Sequence, residues 1–123
     1  MITARPRPAV SKTFETWGWL FMRLSGIALI PLVWIHVLLQ DVLVGVHRIN
    51  LDYVALRWAM TGWRVYDFLL LSFAFGHGMN GLRAVLTDYL PGHKRAIDWL
   101  TLLFWIILSL IGAVAIIGGV RKS

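Results

Sequence analysis

No cysteine occurs in the 123 residues. Its absence removes disulfides, thiol catalysis, thioether-attached haem and any iron–sulfur cluster ligated by this chain's own thiolates. It says nothing about redox compartment. A redox cofactor must be held by histidine or sit on another chain. Charge is sparse, at 15% of residues, and acids are the scarcer sign, six against twelve Lys and Arg for a net +6. The basic residues form no stripe suited to nucleic acid. Arg5, Arg7 and Lys12 precede the first long apolar run, Lys94 and Arg95 precede the last, and Arg121 and Lys122 follow it. Cations that flank apolar runs meet lipid headgroups. No internal repeat and no low-complexity tract is present.

What fills the chain instead is apolar: 59% hydrophobic residues, with seven tryptophans. Three runs stand out, at about 17–39, 65–89 and 98–119. At ~1.5 Å per residue, runs of about 20 residues cross a hydrocarbon layer of ~30 Å. The expected fold is therefore an all-α membrane protein with three transmembrane helices. Residues 1–16 are expected to form a polar tail and 17–123 the helical domain. The first run does not read as a signal peptide, being too long and followed by no small-residue cleavage site. Pro31 is expected to kink it. Between the first two runs, "LDYVALRWAM" sets Leu51, Val54, Ala55 and Trp58 at helical spacing beside Asp52 and Arg57, which predicts a short interfacial helix. The link Pro91 to Ala96 is short, so the helices on either side of it are antiparallel neighbours. Lys and Arg counts on the two sides tie, so charge alone leaves the orientation open.

An ionisable group inside an apolar run is costly and points to function. "FAFGHGMNGLRAVLTDYL" places His77 between Gly76 and Gly78, with Gly81 one turn on along the same face. Two readings fit. Glycines leave room for a flat macrocycle ligated through the imidazole, or they let two helices pack closely with His77 hydrogen-bonded across the contact. Asp88 follows His77 by eleven residues, about 16 Å along one face. Asp88-Tyr89 thus stands at the membrane edge, where a phenol and a carboxylate suit a carbonyl headgroup such as a quinone, or are merely an interfacial tyrosine and a solvated acid. In the first run, Arg23 and Ser25 lie about a turn inside the edge. Arg23 either snorkels or meets an anion. His36 lies near the far side, at ~27 Å depth against ~18 Å for His77, too different for both to serve one macrocycle. His47 and His93 fall in loops and receive no role.

"HGMNGLRAVLTDY" resembles the second-helix signature of the D-type hydrophobic membrane anchor of succinate dehydrogenase and fumarate reductase complexes, in which Asp-Tyr follows a histidine at +11 and +12. "WLFMRLSG" looks like the same family's opening, and the layout covers nearly the whole chain. The resemblance implies that His77 is an axial ligand of haem b, that Tyr89 donates to a quinone with Asp88 and Ser25 at the same site, and that Arg23 approaches a haem propionate. His36 departs from single-haem members. It is either the ligand of a second haem or a polar residue at the far interface.

The resemblance further implies half of a heterodimeric helical bundle, completed by a C-type membrane-anchor partner. An iron–sulfur protein and a flavoprotein would dock on the pair, in a bacterial or archaeal cytoplasmic membrane with the N-terminus cytoplasmic. Succinate oxidation would occur on other chains, and this one would pass electrons to quinone. Two other classes stay open: a three-span scaffold whose histidines serve packing, and a cytochrome b anchor of another respiratory complex.

Overall fold

A computed structural model describes residues 13–119. Most of the tail expected over 1–16 and the cations Arg121 and Lys122 lie outside the described residues. Every regular element among those described is helical: α1 Phe14–Val37, α2 Leu51–Trp58, α3 Thr61–Tyr89 and α4 Lys94–Gly118.

Helix α1 begins at Phe14, within the stretch expected to be tail. It passes unbroken through Pro31, where the ring removes the N–H that would bond the Ile27 carbonyl. Past Val37 the chain continues as a wider π-helical stretch, Leu38–Val44. The Gly45 N–H closes it on the Gln40 carbonyl at 3.0 Å. Gly45 has φ of 87°, a conformation that glycine adopts without a Cβ clash, and it stops the helix. The short helix expected between the first two runs forms, as α2. Its Asn50 cap, which periodicity does not show, accepts the Tyr53 N–H at 2.8 Å. Leu51 is 86% exposed at the helix start, while Ala55 is buried.

Helix α3 lies between α1 and α4 and packs on both. It is antiparallel to each. Towards its end it meets the start of α1 (Asn80 on Gly18) and the start of α4 (Arg83 on Asp98). Its earlier part meets the later parts of both, through Tyr66 on the Leu32 carbonyl and Leu71 against Gly112. The short link is a single 3-10 turn, Pro91–His93.

Two stretches, Phe14–Val44 and Pro91–Gly118, are long and apolar enough to cross a membrane. The third expected span does not reach that standard. Helix α3 has the length, 29 residues or about 43 Å, but Asp67, His77, Asn80 and Arg83 are spread along it and dilute its apolarity. Its position explains the difference. A helix flanked by two others turns polar groups to its neighbours, so its sequence need not be uniformly apolar.

Burial is inverted relative to a protein in water. The buried hydrophobic residues are Ala55, Ile97 and Ile116, whereas Ser25, Gln40, Arg83 and Thr101 are buried and polar. Trp34, Val114 and Ile117 are exposed by 70% or more. Such a surface aggregates in water and is satisfied in lipid.

Candidate functional site

His77 projects from the middle of α3 onto α1. Its Nδ1 lies 3.0 Å from Ser25 Oγ, and a Cβ built on Gly26 would sit 3.4 Å from its Cε1. Ser25 is 2% exposed, the least exposed side chain among the described residues. Its hydroxyl also reaches the Met22 carbonyl, at 3.3 Å within its own helix. No hydrogen bond engages His77 Nε2 among the described residues, nor is that atom among the buried polar atoms left without a partner. One ring nitrogen is fixed inside the chain and the other is free.

The glycines around His77 divide their work. Gly76 is buried, and a Cβ there would come within 2.8 Å of Phe21 and 3.0 Å of the Trp105 indole nitrogen. It is a packing glycine, as the helix-contact reading has it, and it seats Trp105, whose indole donates to the Ser72 carbonyl at 3.0 Å. Gly78 faces open space, and Ala74, one turn before it, is also exposed. Ala74 and Gly78 thus leave a gap in side-chain bulk on the outer face beside His77, bordered by the exposed Phe75 and Leu82.

The remaining residues singled out from the sequence are scattered. Tyr89 is 82% exposed at the last position of α3, and Asp88 beside it is exposed too. Arg23 lies on the outer face of α1, its guanidinium 4.5 Å over the exposed Trp19 ring. A ring at i−4 under a cation draws the side chain back towards the membrane edge. His36 is half-buried on the far half of α1, with Nδ1 enclosed and unpartnered. His77 and Ser25 are thus brought together, while Asp88, Tyr89, Arg23 and His36 each stand apart from that pair.

Sequence reasoning passed over the strongest polar cluster. Arg83 is 6% exposed. It holds Glu15 with two parallel bonds of 2.8 and 3.0 Å, Asp98 at 2.9 Å and, through Nε, Asn80 at 2.9 Å. Lys94 closes the network on Glu15 and Asp98, both at 2.7 Å. Two cations meet two carboxylates, so no net charge is left to attract an anion. The cluster ties the starts of α1 and α4 to the end of α3. A signal was present: a buried arginine needs carboxylates, and of the chain's six acids only Glu15, Asp88 and Asp98 belong to this end. Next to it, a cleft of about 200 Å³ is lined mainly by Phe14, Trp17, Phe21, Met79 and Trp105, with Arg83 and Asp98 on its wall. His77, Asp88 and Tyr89 do not line it.

At the opposite end Asp67 receives Arg57 and the Trp58 indole, each at 2.8 Å, and the Arg57 guanidinium lies 4.5 Å over Trp63. This anchors α2 to α3.

The family model describing the succinate dehydrogenase/fumarate reductase transmembrane subunit matches residues 3–116, almost the whole chain. No curated protein matches it. A helical chain with two apolar spans, an inverted surface and a histidine fixed at the middle of its central helix thus belongs to the family of succinate dehydrogenase/fumarate reductase transmembrane subunits.

Proposed function

We propose that this chain is the membrane anchor of a succinate:quinone oxidoreductase, contributing His77 as an axial ligand of haem b and Asp88-Tyr89 to the quinone-reduction site. All three long helices cross the bilayer in this reading, α3 shielded by α1 and α4. The N-terminus and the Asp88-Tyr89 end lie on the cytoplasmic side of a bacterial or archaeal membrane.

The observation that carries the proposal is the asymmetry of His77. An imidazole ligates iron through one nitrogen while the other is held by an orienting hydrogen bond. His77 has its Nδ1 held by Ser25 at 3.0 Å and its Nε2 unpartnered. Beside it, Ala74 and Gly78 leave a gap between Phe75 and Leu82 on the outer face of α3, room for the edge of a flat group. The residues present fit a haem. When bound, haem b supplies a one-electron carrier whose potential is set by its axial ligands and surroundings. A second histidine, from the C-type anchor partner, would complete the ligation, and the iron–sulfur protein and flavoprotein of the complex would supply electrons from succinate.

Quinone reduction consumes two electrons and two protons. The Tyr89 hydroxyl donates a hydrogen bond to a quinone carbonyl, and Asp88, exposed beside it, passes protons from water. Both lie on a surface that docked partner chains would cover. Arg23, already placed near the edge by Trp19, is the residue offered to a haem propionate. His36 lacks the features of His77, since its Nδ1 has no hydrogen-bond partner among the described residues and no glycine borders it. We therefore assign one haem to this chain and treat His36 as a far-side polar residue. A scaffold role is the second reading, and the packed Gly76 favours it. A haem-to-flavin ratio on the purified complex separates the readings: one supports the assignment, two restores His36 as a ligand, and zero leaves the scaffold.

A further inference from the structure

We infer that Ser25 is the positioning residue for His77: it selects the tautomer of the ring and sets how strongly Nε2 donates to a metal. This rests on the reading of His77 given above and adds a residue to it. A serine hydroxyl carries one proton and two lone pairs. Two partners compete for that proton, the Met22 carbonyl at 3.3 Å and His77 Nδ1 at 3.0 Å. A carbonyl oxygen can only accept, whereas Nδ1 can donate or accept. Only one assignment makes both contacts hydrogen bonds. The hydroxyl donates to Met22, and Nδ1–H donates to Ser25 Oγ. The Nε2 lone pair is then left free, which is the tautomer a metal requires.

Burial strengthens the case. At 2% exposure, Ser25 is beyond the reach of water and of a quinone on the outer surface, so it acts on the ring rather than on the substrate. Gly26 on the next position leaves the ring room to lie against α1, with a Cβ there only just in contact with Cε1. The relay from Nδ1–H through the serine to a backbone carbonyl polarises in one direction in a low-dielectric interior. Partial withdrawal of the Nδ1 proton makes Nε2 a stronger donor, which favours the oxidised over the reduced iron. Ser25 therefore lowers the haem midpoint potential.

The test is a redox titration, with low-spin electron paramagnetic resonance of the haem, on the intact complex carrying Ser25→Ala, Ser25→Thr or His77→Ala. The expected result is that Ser25→Ala keeps the haem but raises its midpoint potential and shifts its g-values. Ser25→Thr, which retains the hydroxyl, returns both towards the parent. If Ser25→Ala loses the haem, recovery in Ser25→Thr supports the same role, and no recovery overturns it. An unchanged potential and spectrum in Ser25→Ala overturns the inference while haem loss in His77→Ala leaves the ligand assignment standing. Unchanged haem in both variants overturns both.

Discussion

At the scale of single residues, the chain separates groups that act inside it from groups that await a partner chain. His77 and Ser25 satisfy one another within the chain, whereas Tyr89 is exposed at the end of α3. Substituting Tyr89 should therefore leave the fold intact. Tyr89→Phe is expected to lower quinone reduction about two- to tenfold, the effect of losing one hydrogen bond of ~0.5–1.5 kcal/mol. Succinate oxidation by an artificial dye acceptor should stay at parent level. Equal loss in both assays would place Tyr89 in assembly instead. Arg83 is the converse case. Among the described residues, Arg83→Ala leaves Asp98 and Glu15 with Lys94 as their only cation and is expected to cost stability, by at most about 3 kcal/mol. Glu15 is half exposed, so water relieves part of the loss. The thermal midpoint of the complex in detergent reads this, and an unshifted midpoint would deny the cluster a structural role.

His77 was legible in the sequence because an ionisable group within an apolar run is conspicuous on its own. The Arg83 cluster was not, since its partners lie 68 and 15 positions away, and pairing over such distances is fixed by helix packing rather than by local pattern. Ser25 was visible only as a polar residue near the membrane edge. Which way it faces depends on the rotation of α1 against α3, which local pattern did not settle. A role at the quinone site, implied by resemblance, gives way in our reading to one beneath His77.

Among the elements, α1 and α4 follow from their unbroken apolar runs, and α2 from its spacing and position between polar flanks. The π-helical stretch at Leu38–Val44 had no signal, because an extra residue in a helical turn changes hydrogen-bond register without changing which residue types suit it. Helix α3 was expected from 65 and begins at Thr61. Its first turn includes Arg64, whose guanidinium bonds Thr61 at 3.0 Å, so the polar stretch read as loop is helix. The contact of α3 with α4 depends on Gly112, where a Cβ would overlap the Leu71 side chain. Gly112→Ala is expected to destabilise only slightly, by about 1 kcal/mol or less, because the overlap falls on the end of the movable Leu71 side chain and alanine regains helix propensity. Leu71→Ala in the same chain should recover much of that. Additive losses in the double variant, read from thermal midpoints, would show that the two positions do not share the contact.

Over the whole molecule, the polar residues are distributed by end and by depth. The Arg83 network closes one end, the Asp67 network holds α2 at the other, and His77 lies between them against Ser25. Both charge networks are neutralised among the described residues, and our reading leaves Nε2 of His77 and the exposed Asp88-Tyr89 edge open to a cofactor or a partner. A consequence follows for His36: the variant His36→Ala should keep a haem-to-flavin ratio of one, and a fall from two to one would reinstate the second haem. Ligation of haem b by His77, on which the rest depends, is read from the reduced-minus-oxidised absorbance spectrum of the purified His77→Ala complex, normalised to flavin. The haem signal should be lost or strongly weakened while flavin is retained, and a spectrum identical to the parent's would contradict the assignment.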